Sequence, residues 1–125
     1  MAIVNRHVET AFASTSRAAA AYNSDDLAPA ADIRGVRCFI DVTVDGGGTV
    51  DFKLQGKSPQ GDYYDITGAA AAQLGAVGNE ELTVYPGIGE TANEAVSDVM
   101  PGEFRGVLTV GVAAMTASVE VEYLP

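Results

Sequence analysis

The chain has 125 residues, one cysteine, no tryptophan and a formal net charge of −10, from 7 Lys and Arg against 17 Asp and Glu. A chain of this length fits one domain and buries roughly two-thirds of its unfolded surface, so a core needs neither metal nor disulfide. The charge argues against a nucleic-acid partner, because phosphate binding needs clustered cations. No segment approaches the ~20 apolar residues of a membrane helix.

In chain order, Met1–Val8 reads as a short N-terminal arm, and residues 9–125 read as a single domain. The arm lacks a signal-peptide h-region, so synthesis in the cytosol is expected. Residues 1–37 are neutral: Arg6, Arg17, Arg34 and Arg37 balance Glu9, Asp25, Asp26 and Asp32. The entire excess of carboxylates therefore falls after Arg37. This split predicts that the N-terminal part meets a partner while the acidic body faces solvent. Glu9–Tyr22 is Ala-rich enough for a helix. It lacks a 3.6-residue apolar stripe, however, which favours an extended strand.

Strict alternation begins at Val36. Val36, Cys38, Ile40, Val42 and Val44 share one face, with Phe39 as the exception on the other, and Cys38 reads as a buried structural thiol. After Asp45-Gly46-Gly47-Gly48-Thr49, Val50, Phe52 and Leu54 resume the pattern. The pair reads as a β-hairpin. Tyr63–Ile66 and Glu81–Tyr85 are two shorter strands, set off by turns at Pro59-Gln60-Gly61, Pro86-Gly87 and Pro101-Gly102. Ala69–Leu74 and Glu90–Asp98 are each long enough for one or two helical turns. Phe104, Gly106, Leu108, Val110 and Val112 share a face, as do Ala117, Val119, Val121 and Tyr123, which reads as a second hairpin. Six or seven strands without βαβ alternation predict an all-β fold. The expected form is a single β-sandwich, jelly-roll or immunoglobulin-like, with at most one or two short helical turns.

Chemistry is sparse. His7 is the one histidine, too few for a Ser-His-Asp or Cys-His site or for a Cys/His zinc set. Asp62 and Asp65 flank Tyr63-Tyr64 without the cleft a glycosidase pair requires. Asp45 and Asp51 bracket a glycine loop that lacks EF-hand order. Gly87-Ile88-Gly89 lacks the third glycine and the lysine of a phosphate loop. The expectation is a non-enzymatic chain with no catalytic residue, metal or cofactor. Of Tyr63 and Tyr64, alternation sends one inward and leaves one as a surface aromatic. Arg105, outward beside Glu103, is placed to pair with a carboxylate.

Three blocks, Leu54–Ile66 (LQGKSPQGDYYDI), Thr83–Ile88 (TVYPGI) and Ser97–Val112 (SDVMPGEFRGVLTVGV), follow a strand like Phe39–Val44. In that order they resemble a group of small proteins encoded with the virion structural genes of tailed bacteriophages. The resemblance runs from about Glu9 to the C-terminus. Phe104-Arg105 stands where many members have Trp-Arg, which keeps an aromatic at the inward position. The resemblance implies a virion structural protein. Within that class, small size, a disulfide-free β-sandwich, an acidic solvent-facing body and a neutral arm able to reach a neighbour lead to the first expectation, a capsid decoration (cement) protein on the capsid surface. Its partners would be the major capsid protein and further copies of itself, as a homo-oligomer such as a trimer, with no nucleic acid and no membrane. The expected contact residues are Arg6, His7, Phe12 and Arg17, with Tyr63 and Tyr64. A head–tail connector or tail component is the structural alternative, and a carbohydrate- or receptor-binding sandwich is the alternative from another class.

Overall fold

The computed structural model describes residues 7–125. Among these, nine strands and no helix form: β1 (His7–Arg17), β2 (Ala20–Asn23), β3 (Gly35–Asp45), β4 (Thr49–Lys57), β5 (Tyr63–Ala70), β6 (Gly78–Val84), β7 (Ala95–Val96), β8 (Phe104–Gly111) and β9 (Met115–Leu124). They make two sheets packed face to face, ordered β1-β9-β3-β6-β7 and β2-β8-β4-β5. All pairings are antiparallel except β6 with β7. An immunoglobulin sandwich keeps its first two strands in one sheet. Here β1 and β2 lie in opposite sheets, and β3–β4, β5–β6 and β8–β9 divide the same way. That order is a jelly roll.

Both expected hairpins are therefore corrected. β3 pairs with β6 and β9, whereas β4 pairs with β5 and β8. Each Gly- or Ala-rich connection is a corner that carries the chain across the core. Alternation marks one buried face per strand, and a strand that folds over onto its predecessor satisfies that pattern as well as one that folds alongside. Four such corners, β1–β2, β3–β4, β5–β6 and β8–β9, gather at one end of the sandwich. The first residues of β1 and the last of β9 lie at the opposite end, where His7 pairs with Tyr123.

The apolar faces otherwise meet as the pattern requires. Val36, Cys38, Ile40 and Val42 oppose Val50, Phe52 and Leu54, and Leu108, Val110, Val119 and Val121 close the same core. Two positions leave it. A register shift between Val42 and Val44 turns Val44 out, to 57% exposure. Val112 lies past the end of β8, 86% exposed at a φ of 70°. That backbone region is costly for a β-branched residue.

Neither segment long enough for a helical turn forms a helix. Ala69 and Ala70 belong to β5, and Leu74 bridges Val50 through hydrogen bonds in both directions, at 2.8 and 2.9 Å. Within 90–98 the chain makes turns and then β7. Alanine serves here as a small core residue, at Ala69 and Ala71, where a sheet edge meets the opposite layer. The strand expected over Glu9–Tyr22 forms as β1 and β2, split at Ala18–Ala19 by a corner. β1 begins at His7, so His7 and Val8 belong to the sheet and not to the arm. Met1–Arg6 lie outside the described residues, and with them the expected contact residue Arg6.

Cys38 is fully buried, and desolvation pushes its thiol from an ordinary 9.0 up to about 12. The folded chain thus holds this proton where the unfolded chain releases it. Stability is therefore expected to decline as pH rises above about 9, where the unfolded thiol ionises and the folded one does not. Urea unfolding of wild type and Cys38→Ala at neutral and alkaline pH checks this. The wild type is expected to lose stability more steeply, and parallel pH profiles would contradict the assignment.

Candidate binding face

Lys53, Lys57 and Arg105 are the only Lys or Arg residues after Arg37, and all three stand on the outer face of the β2-β8-β4-β5 sheet. The cause is local. Val50, Phe52, Leu54 and Gly56 take the buried positions of β4, which leaves Lys53, Gln55 and Lys57 outward. Arg105 pairs with Gln55 across the β4–β8 ladder, and Tyr63 pairs with Lys57 across β4–β5. The other sheet has a different outer surface. Asp41, Glu81, Glu120 and Glu122 lie on it with Phe39 and Arg37, and Arg37 pairs with Glu81 at 3.1 Å. The charge asymmetry of the folded molecule therefore runs from sheet to sheet as well as from N-terminus to body.

Tyr63 is the hub. The Arg105 guanidinium carbon lies 3.5 Å from its ring centroid, and the Lys57 ammonium lies 5.7 Å from it. Its hydroxyl donates to Asp26 at 2.6 Å, and Lys57 donates to the other oxygen of that carboxylate at 2.8 Å. Lys57 also reaches Glu103 at 3.5 Å. Arg105 Nε donates to Gln55 at 2.9 Å, Gln55 donates to Asp65 at 2.9 Å, and Lys53 pairs with Asp65 at 3.0 Å. Arg105 thus stacks on an aromatic ring and binds an amide, in place of the carboxylate expected for it.

The hydrogen bonds from Lys57 and then Tyr63 hold Asp26 below its ordinary range, and the same carboxylate holds Lys57 above its own. The bond to Asp26 also raises Tyr63. Gln55, then Lys53, depress Asp65. A depressed carboxyl contributes its interactions above its unfolded value and loses them as pH falls through the folded one. The network is therefore intact at neutral pH and comes apart in acid.

Tyr64 turns to the opposite face from Tyr63 but is not buried, so the inward tyrosine expected from alternation is not found. Its ring lies over Gly56, where a Cβ would fall 2.5 Å from the phenol carbon. From there it walls an open cleft of about 870 Å³ between the Ser58–Asp62 turn and the Pro101-Gly102-Glu103 turn, with Lys57 and Glu103 at its rim. Tyr63 is 36% exposed and Tyr64 is 47% exposed.

The expected N-terminal contact residues fare differently. Phe12 is buried in the core, because β1 turns this one large side chain onto the opposite sheet. Arg17 lies over the Phe12 ring and donates to the carbonyls of Ala13 and Ala117, at 2.6 and 2.7 Å. His7 meets Tyr123 edge-on at 4.9 Å. The structure thus gives Phe12 and Arg17 internal tasks, while Tyr63 and Tyr64 meet at one end with partners the sequence reading missed, Asp26 above all. Nothing within the sequence near Asp26 signals β5, because the two are joined only by the fold.

Among the described residues no three His, Cys, Asp or Glu side chains are grouped to hold a metal ion. No helix among the described residues is long and apolar enough to cross a membrane. No protein-family model matches the chain, and no curated protein matches it.

Proposed function

We propose that this chain is a non-enzymatic structural protein of a tailed-phage virion, a decoration protein that binds the outer surface of the major capsid lattice as a homo-oligomer and stabilises the shell. The carrying observation is where the three phage-like blocks meet. Lys57 N donates to Glu103 O at 3.0 Å, and Gly87 N donates to Ser97 Oγ at 3.0 Å, so turns from all three blocks are bonded together at one end of the sandwich. The Tyr63 network and the cleft lie at that end. A jelly roll is a fold that capsid proteins use, which supports the reading by analogy of fold. Repeated weak contacts suit a shell, since many attachments together raise apparent affinity without one strong site.

Purified virions test this directly. Quantitative mass spectrometry is expected to find the protein in numbers comparable with the major capsid protein, and stripped shells are expected to rebind the pure protein. Rebinding should fall with Tyr63→Ala combined with Lys57→Glu. Absence from particles would end the virion reading. A complement of only about a dozen copies would move the protein to the head–tail connector or tail, because a shell-wide array needs many sites.

The Tyr64 cleft favours a second reading, a carbohydrate-binding sandwich, since lectin domains also use this fold. Saturable binding on a glycan array that is lost in Tyr64→Ala would place it first.

A further inference from the structure

The two sheets have four edges among the described residues, and three of them are blunted. β2 has four residues and β7 has two. On β5 the ladder to β4 jumps from Asp65, opposite Gln55, to Ala70, opposite Lys53. Short and irregular edges are what keep sheets from pairing with other chains. β1 is irregular as well, but it differs in length. It is an eleven-residue edge strand bonded on one side to β9; Glu9 is charged, whereas the exposed run Ala13, Ser14, Thr15 and Ser16 carries no charge.

We propose that two copies of this chain pair along β1, antiparallel about a two-fold axis at Phe12, joining the five-stranded sheets of both copies into one. Three observations select a second copy as the occupant. First, β1 slips register against β9 on both sides of Phe12, between Thr10 and Phe12 and between Phe12 and Thr15. A regular strand laid along it would fall out of register twice. A second β1 running antiparallel carries one irregularity on each side of its own Phe12, so each faces an irregularity of its partner. Second, the sequence around the axis mirrors itself: Thr10-Ala11-Phe12-Ala13-Ser14 sets hydroxyl opposite hydroxyl, a pairing that sheets favour, and Ala opposite Ala, which lets the strands approach without a clash. Third, the chain bears −10 overall, yet Glu9 and Arg17 cancel along β1, so two copies meet little mutual repulsion there. Arg17 reinforces this by turning its guanidinium onto the carbonyls of its own sheet, at Ala13 and Ala117. The pairing is two-fold, not the three-fold cluster expected from the sequence, and it requires nothing of the virion reading.

Sedimentation equilibrium of the full chain, up to millimolar concentration, tests it. The wild type is expected to form a dimer whose β1 amides gain hydrogen-exchange protection as concentration rises. Ala13→Lys places two ammonium groups diagonally across the axis and should weaken the dimer about tenfold. Ser14→Lys serves if Ala13→Lys fails to fold, with circular dichroism as the check. A monomer throughout, a trimer, or a dimer indifferent to these lysines and without concentration-dependent protection in β1 would overturn the proposal. A dimer that fails to bind shells would count against the decoration role alone.

Discussion

Gly48→Ala is expected to destabilise the fold by about 3 kcal/mol or more, the upper range for overpacking where the obstacle is backbone. A Cβ at Gly48 would lie 2.1 Å from the Ala113 carbonyl oxygen and 2.5 Å from that of Gly111. Neither can swing away as a side chain would. The close approach follows from the topology: β3 lies beside β9 and β4 beside β8, so the β3–β4 and β8–β9 corners run side by side. Glycine at 48 is what lets the two corners touch. Gly102→Ala is the contrast, because a Cβ there meets nothing within 4 Å. Urea unfolding of both variants gives the comparison, with Gly102→Ala expected near wild type. Equal stabilities would mean that the corners are not stacked in this way.

The same corners explain how far the sequence could be read. Val36 to Val42 and Ala117 to Tyr123 show their buried faces plainly, because each inward residue is apolar and each neighbour is mostly polar. Partner choice is not written in that pattern. Cys38 faces the core whether β4 folds beside β3 or across from it, and only the pairing of Cys38 with Leu82 and Val121 reveals the jelly roll. Val44 and Val112 leave the core-facing pattern because strand ends shift register and bend, which a period of two does not encode. The alanines of 69–74 suggested helix by propensity, but tertiary packing used them as small core residues. In the candidate binding face, the two tyrosines beside a polar turn were legible as surface candidates, although alternation expected one of them inward and both are exposed. Its completion by Asp26, Lys57 and Arg105 was not, since Asp26 and Tyr63 are 37 positions apart. Phe12 misled for a physical reason as well: an isolated aromatic among Ser, Thr and Ala looks like a surface anchor until β9 supplies the core beneath it.

Phe104→Ala is expected to cost about 3–5 kcal/mol, the range for emptying a fully enclosed aromatic site. The ring has no exposed surface and meets Tyr123 edge-on at 6.3 Å. Its backbone is bonded to Leu27 in both directions, at 2.7 and 3.0 Å. The consequence extends beyond stability, because Phe104 and Arg105 are adjacent on a strand and point to opposite faces. Phe104 fixes the start of β8 from below while Arg105 stacks on Tyr63 above, and Leu27 anchors the segment that carries Asp26. A cavity at Phe104 therefore loosens both the guanidinium and the carboxylate that position Tyr63. Tyr63→Ala removes the hub while leaving the core intact, so its stability is expected to remain close to wild type. Thermal unfolding and shell rebinding, measured together below the melting temperature of each variant, separate the two roles. If the chain binds shells as proposed, Phe104→Ala loses stability and weakens rebinding, whereas Tyr63→Ala weakens rebinding alone. If the folded fraction of Phe104→Ala rebinds as wild type does, the surface network is held independently of the core beneath it.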